Sequence, residues 1–301
     1  MVACFAGPLA WIRHSPGLKG ETRIEESSDA VAPSIAALEQ RYHLRALLGE
    51  GSFGRIFQAQ SKRQGFRCAV KVAAECDTDD REISLHGTFE HANIARFIES
   101  FSHAATVCIV MELCEGGELF DALQGQGVFS EDDARVGFQQ IMNAVAHLHE
   151  HGVAHRDLKL ENFLLKRRGV SLRENTLKLI DFGFATSFRP GAKSMRTRCG
   201  TPGFIAPEVV TDKAYDERCD VFSCGVILHC MLCGEMPFRE SEATLGQLAR
   251  PEGPIRFGSE EIRKTVSSKA SWLIERLLRK CPARRPTSEK VLRDSWLALD
   301  S

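Results

Sequence analysis

The residue types that can do chemistry fall into a few ordered clusters. Gly49-Glu50-Gly51-Ser52-Phe53-Gly54 spaces its glycines as G-x-G-x-x-G. Missing Cβ atoms let such a backbone approach a phosphate and lay its N–H groups over it. The spacing alone is weak, since dinucleotide sites and ordinary Gly-rich hairpins share it. A strand pattern follows this loop, whereas the dinucleotide fingerprint opens a helix. Lys71 stands late on Cys68-Ala69-Val70-Lys71, a stretch with no other charge, and Glu82 lies in an acidic, helix-like stretch beyond it. Then come His155-Arg156-Asp157-Leu158-Lys159-Leu160-Glu161-Asn162, Asp181-Phe182-Gly183 and Ala206-Pro207-Glu208. The carboxylates and the amide offer hard oxygen ligands of the kind Mg²⁺ prefers.

Other clusters carry less. His147, His149 and His151 invite a metal reading, but their place at a helix end argues against it. Asp77-Thr78-Asp79-Asp80 lacks the Gly and the twelfth-position Glu of a calcium loop and reads as a solvated helix start favoured by the dipole. Cys230-Met231-Leu232-Cys233 lies in an apolar run, so two buried thiols are favoured over a redox or zinc pair. The 11 cysteines are scattered and odd in number, in a chain long enough to build a core without disulfides. A reducing, intracellular setting is expected: the cytoplasm, with the nucleus as the alternative.

The elements that must position these groups divide the chain unequally. Residues 1–40 show no sustained period and are expected to be a flexible tail, with a short helix at Pro33–Gln40. Tyr42–Leu48, Arg55–Ala59, Phe66–Val72, Ile94–Phe101 and Val107–Leu113 read as strands, interrupted by one helix over Asp79–Phe89. Beyond Cys114 the period becomes helical. Ser130-Glu131-Asp132-Asp133 is a capping-box signal for a helix whose Phe138, Ile141, Val145 and Leu148 recur at three- and four-residue steps, ending at Gly152. Further helices are expected at Glu217–Cys233, Glu242–Ala249, Lys269–Arg279 and Ser288–Leu297. The fold class is therefore α+β. A small antiparallel β lobe with one main helix is followed by a larger, mostly helical lobe, and the crevice between unlike lobes suits a ligand.

Composition agrees with an ordinary globular chain. The 301 residues are 43% apolar and 26% charged, and 39 Lys+Arg against 40 Asp+Glu leave a net charge of −1. Disorder and fibrous classes are excluded, and a nearly neutral chain does not favour nucleic acid or an acidic membrane as partner. No run suits a membrane span. Val2–Ile12 lacks a basic flank and is broken by Pro8, and Val2 excludes the myristoylation pattern.

Taken in order, these motifs resemble those of a eukaryotic protein kinase domain over about Tyr42–Leu299. The resemblance implies a domain at 41–299, with a small lobe at about 41–112, a hinge at 112–117 and a large lobe at about 118–299. It implies ATP and Mg²⁺ as cofactors. Phosphoryl transfer needs positioning and charge neutralisation more than covalent chemistry. Lys71, paired with Glu82, would hold the α- and β-phosphates under the loop Gly49–Gly54. Asn162 and Asp181 would be the metal ligands. Asp157 would accept or orient the substrate hydroxyl proton, and Lys159 would neutralise the γ-phosphate. Adenine would lie between Ile56 and Ala69 above and Leu164 below. Met111 would be the gatekeeper, with hinge backbone groups around Glu112 and Cys114 at the ring edge.

Lys159 and Gly200-Thr201-Pro202 resemble Ser/Thr-specific kinases, and Thr201 is assigned to the substrate region. Glu118 and Glu161 match carboxylates with which related kinases hold an upstream Arg, and Glu118 also suits the ATP ribose. The third such position is Cys230. The resemblance extends to the calcium/calmodulin-dependent group, most closely to plant and protist calcium-dependent kinase catalytic domains. Any calcium control would then need another segment or a separate sensor chain. Thr197 occupies an activating phosphorylation position, with Arg156 as the phosphate's partner and Arg189, Lys193, Arg196 and Arg198 around it. The expected protein is a monomer acting on protein substrates, with an upstream kinase among its partners. Its alternative is a catalytically silent kinase-fold scaffold. His86 is the departure that favours the alternative, because the regulatory apolar stack with Phe97, Phe182 and His155 usually has an aliphatic residue there. Phe222 and Cys281 also depart from the pattern, while Arg285 can still pair with Glu208.

Overall fold

The computed structural model describes residues 37–51, 54–75, 80–103, 105–212, 214–238, 257 and 260–298. The helix expected at Glu242–Ala249, most of Asp77–Asp80, and Ser52 and Phe53 lie outside them. Helix α1 covers 37–41 and buries Leu38 completely against Tyr42, Ala59, Cys68 and Val70. Packed structure therefore begins inside the stretch that reads as tail.

Five strands follow: β1 (Tyr42–Gly51), β2 (Gly54–Ser61), β3 (Arg67–Ala74), β4 (Phe97–His103) and β5 (Thr106–Glu112). They form one antiparallel sheet in the order β1-β2-β3-β5-β4. Strand β3 is buried on both faces, and the two-residue period of a strand sorts its side chains. Cys68, Val70 and Val72 join the core that holds Leu38, whereas Ala69 packs with Ile109 and Met111 on the other side. Lys71 shares the face of Ala69 and stands opposite Ile56 on β2 and Ile109 on β5. The sheet thus aims one lysine at the crevice. The strand expected from Ile94 starts three residues later, because Ile94 bridges to Leu179 and the Ala95 N–H bonds the Leu179 carbonyl at 2.9 Å. Those residues join the sheet to the second lobe.

Helix α2 (Asp80–Thr88) packs on β4, and α3 (Leu119–Gln126) opens the larger lobe. Helix α4 (Glu131–Glu150) is capped by Ser130, whose Oγ accepts the Asp133 N–H at 3.1 Å. Its Phe138, Ile141, Val145 and Leu148 are completely buried. Two short hairpin-like pairs follow: β6 (Val153–Ala154) with β9 (Thr186–Ser187), and β7 (Phe163–Leu165) with β8 (Leu177–Leu179). They carry the loops between which the chemistry sits. Helices α5 (Pro207–Thr211), α6 (Arg218–Cys233), α7 (Glu260–Thr265), α8 (Ser268–Leu277) and α9 (Ser288–Leu292) complete the described chain. Helix α6 is buried from Cys219 to Cys233. It approaches α8 so closely that a Cβ on Gly225 would stand 2.7 Å from Leu277 Cβ. Cys230 and Cys233 are free and buried, as the apolar pattern predicts.

Helix α9 is shorter than the period predicts. Asp294 Oδ1 accepts the Trp296 N–H at 3.0 Å, a local bond that competes with continuing the helix. The second Asp294 oxygen accepts from Arg276 at 2.8 Å, and the Trp296 indole N–H donates to Glu131 at 2.7 Å. The described chain beyond α9 is a pinned turn instead of another helical turn.

Candidate active site

Lys71 Nζ donates to Glu82 Oε1 at 2.6 Å and stands 3.6 Å from Asp181 Oδ1. The Lys71 and Glu82 side chains are only 9% and 7% exposed, so water screens little of their attraction. Burial alone would push Lys71 down, but Asp181 and Glu82 outweigh it and hold the ammonium above its ordinary value. Burial likewise raises Asp181, and Lys71, His155, the Gly183 N–H and Lys159 together more than reverse that, keeping the carboxylate ionised. Asp181 has φ +63°, a left-handed conformation uncommon for a residue with a side chain. Its Oδ1 accepts the Gly183 N–H at 3.2 Å, which helps secure the turn. Helix α2, strand β3 and the loop after β8 thus meet at one cation.

The second group of residues is assembled around Asp157. Thr201 Oγ1 donates to Asp157 Oδ1 at 2.7 Å, and Lys159 Nζ donates to Thr201 Oγ1 at 3.2 Å. Lys159 Nζ also lies 3.6 Å from Asp157 Oδ2. Asn162 Nδ2 donates to the Asp157 carbonyl at 2.7 Å, so the amide oxygen remains available as a ligand. The Ile180 N–H bonds the Asn162 carbonyl at 2.9 Å, bringing the backbones before Asp181 and at Asn162 together. This donor set, one carboxylate and one amide oxygen, fits a hard divalent cation.

A buried carboxylate that the motif spacing left unassigned holds this loop in place. Asp220 is completely buried and accepts the His155 and Arg156 N–H groups at 2.8 Å each. It also accepts His149 Nε2 at 2.9 Å. Burial would raise its pKa, but these donors hold it below the ordinary carboxylate value. They also secure Arg156 at φ +68°. An acid entering the otherwise apolar helix Val221–Cys233 was the available signal, but its partners lie too far away in sequence to be read from spacing.

The residues expected to hold a nucleotide lie on the sheet and on the segments that join it to the larger lobe. Gly49, Glu50 and Gly51 pair with Ile56, Arg55 and Gly54 across the β1–β2 turn, and Glu50 is tied to Arg55 at 2.8 Å. A Cβ on Gly54, at φ +107°, would collide with the Val72 carbonyl, so glycine is required there. Ala69 stands opposite Met111. Leu164 is half-buried and bridges to Glu118. The Glu112 carboxylate is engaged by Lys166 and Lys178 at 2.8 Å each, and its N–H bonds the Arg96 carbonyl. Its side chain and N–H thus tie the segment between the lobes to Arg96, Lys166 and Lys178.

Glu161 differs from its neighbours. Its Oε2 is buried without a hydrogen-bond partner. Burial, together with the Glu118 and Asp157 charges, pushes the carboxyl up to about 7. Cys230, expected as the third position of this set, is wholly buried, and burial keeps its thiol neutral by raising its pKa well above the ordinary value.

Of the residues expected to exert control, those of the ring stack come together. Phe182 stacks on His86 with ring centroids 4.8 Å apart, His86 meets Phe97 edge-on at 5.7 Å, and His155 meets Phe182 at 5.5 Å. Burial depresses the His86 pKa, favouring the neutral ring, and Nε2 donates to the Ala95 carbonyl at 2.6 Å. His86 therefore completes the stack as a flat aromatic residue. Thr197 is exposed. Arg156 donates to the Phe184 carbonyl at 2.7 Å and to Tyr215 Oη at 3.2 Å, while Tyr215 donates to the Thr197 carbonyl at 2.5 Å. Arg285 grips both oxygens of buried Glu208 at 2.5 and 2.7 Å.

Residues 42–297 match the family model described as the protein kinase domain. Mouse serine/threonine-protein kinase 33 is 35% identical over 276 residues, covering 87% of this chain and 56% of that protein. The CBL-interacting serine/threonine-protein kinase 24 of Arabidopsis thaliana is 36% identical over 269 residues, covering 86% of this chain and 58% of the relative. CBL-interacting protein kinase 24 of Oryza sativa subsp. japonica is 37% identical, with 85% and 56% coverage respectively. The chain thus spans little more than half the length of these relatives. Across the two lobes that join Lys71, Asp157 and Asp181, it belongs to the protein kinase domain family, among relatives named as Ser/Thr kinases.

Proposed function

We propose that the protein transfers the γ-phosphate of ATP to Ser and Thr hydroxyls of protein substrates. The observation that carries this reading is the Asp157 carboxylate, held by Thr201 and accompanied by Lys159, in the same crevice as Lys71, Glu82 and Asp181. Asp157 orients the attacking hydroxyl and receives its proton. Lys159 offsets the phosphate charge. Thr201 secures both groups, giving the substrate assignment of this residue a physical role. Lys71 positions the nucleotide phosphates, and the buried pair with Glu82 prevents the ammonium from wandering. Magnesium, held by Asp181 and Asn162, would neutralise phosphate charge. The unbroken ring stack through His86 supports the active reading over a silent scaffold.

The finer reading is a preference for an upstream Arg, supported by Glu161, whose buried oxygen lacks a partner, and by the charge of nearby Glu118. Phosphorylation of Thr197 activates the enzyme by adding an anion among basic residues. An upstream kinase and a separate calcium sensor complete the proposed partners; the plant relatives are named for interaction with CBL, another protein. This pattern suits the calcium/calmodulin-dependent group and an intracellular setting. Among the described residues no helix is long and apolar enough to cross a membrane.

The test is transfer of labelled γ-phosphate, with Mg²⁺, to peptides that differ only in Ser, Thr or Tyr as acceptor and Arg or Ala upstream. Transfer to Ser or Thr is expected, faster with Arg. A fully folded protein that binds ATP but transfers to none of them would overturn the proposal.

A further inference from the structure

His149 turns to Asp220 and Ser288, at 2.9 and 3.0 Å. Residues four apart share a helix face, so His147 and His151 meet away from it. Their ring centroids are 4.3 Å apart. One ligand atom from each of His147, Glu150 and His151 lies within 4.8 Å of the others. His151 Nδ1 stands 2.8 Å from the His147 carbonyl. A carbonyl only accepts, so Nδ1 carries the proton and Nε2 keeps its lone pair for a ligand. His91, stacked on His147 at 4.8 Å, accepts the Asn93 N–H at its own Nδ1 and serves as a wall, with its proton on Nε2. Among the described residues neither ring nitrogen of His147 makes a hydrogen bond.

We propose that His147, Glu150 and His151 form a binding site for a zinc-type divalent cation at the C-terminal end of α4. Two imidazoles and one carboxylate make a donor set that zinc uses, with a fourth position left to water. Such a set discriminates against Mg²⁺, which prefers oxygen ligands and serves the crevice. A helix end, which argues against a purely sequence-based metal assignment, favours a cation electrostatically because its carbonyl dipoles point there. Bonds of about 2.0–2.2 Å place tetrahedral ligands roughly 3.3 Å apart, so binding draws the three side chains inward. Glu150 and His151 are exposed and have room to adjust. The site also stands one ring from the nucleotide crevice. Phe89 meets His147 and His151 edge-on at 5.9 and 5.8 Å, and its other neighbour is Phe182 at 5.9 Å.

The experiment is calorimetric titration of the nucleotide-free full chain with Zn²⁺, using Cys281→Ser as background because Cys281 is exposed. Co²⁺ absorption then reports the ligand type. One saturable equivalent is expected, without a thiolate charge-transfer band. His147→Phe, which keeps a ring against Phe89, and His151→Asn should each weaken binding at least roughly ten-fold. Glu150→Gln should weaken it less, while Asp181→Asn should leave it unchanged. No saturable Zn²⁺ binding would overturn the proposal. So would binding that survives both histidine substitutions, or a cobalt spectrum dominated by thiolate.

Discussion

The shifted carboxyl of Glu161 gives the proposed Arg preference a pH signature. Its value of about 7 lies above the ordinary 4.5, because burial disfavours the ionised form and Glu118 and Asp157 add like charge. Between those values the side chain is held neutral by the fold, and it ionises as pH rises through about 7. A guanidinium pairs with the ionised form, so Arg-peptide recognition should strengthen over that window. With one titrating group, roughly one tenth is ionised at pH 6 and roughly nine tenths at pH 8, a near ten-fold change. The assay is kcat/KM for an Arg-x-x-Ser peptide divided by that for its Ala-x-x-Ser counterpart, measured at both values. Taking the ratio cancels ionisations of Asp157, nucleotide and acceptor that both peptides share. The ratio should rise about ten-fold from pH 6 to pH 8 in the parent. In Glu161→Gln it should be smaller and flat, because an amide does not titrate there. A parent ratio that stays flat, or a rise that persists in Glu161→Gln, would refute the assignment.

Asp157→Asn should retain ATP affinity within a few-fold and reduce turnover by roughly 10²–10⁴, as measured by nucleotide binding and steady-state transfer. Asp181→Asn removes a charged metal ligand and should raise the Mg²⁺ concentration giving half-maximal rate; an unchanged midpoint would count against that role. Arg285→Ala leaves Glu208 buried without its cation, and their side chains are 0% and 2% exposed. The expected loss of stability is about 3–5 kcal/mol, read from urea unfolding. Thr197→Ala should reduce peptide phosphorylation at least roughly ten-fold with little effect on ATP binding, and Thr197→Glu should recover part of it. Parent activity in Thr197→Ala, together with no response to phosphatase, would show that the loop is ordered unmodified.

What could be read from the sequence follows a physical division. Lys71, Asp157, Asn162 and Asp181 stood out by type and order, and the structure brings Lys71 to Asp181 and Asn162 to Asp157. The strands were legible because β3 and its neighbours bury alternating faces, and α4 because its apolar stripe has a helical period. Asp220 was not legible as the anchor of the Asp157 loop. Its bond to His149 joins residues 71 positions apart, and no local period encodes such a contact. Thr201 is similar: the resemblance assigned it to the substrate region, but its bond to Asp157 spans 44 positions. Helix ends were missed for a different reason. In α9 the apolar spacing continues, while Asp294 diverts the Trp296 N–H to a side chain.

His86 shows how a residue that departs from a family pattern can keep its function. An imidazole in a greasy column looks unfavourable if its polarity alone is considered, because a buried polar atom without a partner is costly. Here one ring nitrogen reaches the Ala95 carbonyl, and burial favours the uncharged form. What remains for its neighbours is a flat face, and Phe182 lies almost parallel to it, with 19° between the planes. An aliphatic side chain would fill space at that level, but it could not hydrogen-bond the segment before β4. The histidine therefore joins α2 both to the Asp181-Phe182-Gly183 turn and to the backbone at Ala95. Since the same helix carries Glu82, that attachment also steadies the carboxylate holding Lys71. The residue that favoured a silent scaffold thus makes contacts that support the proposed kinase reading.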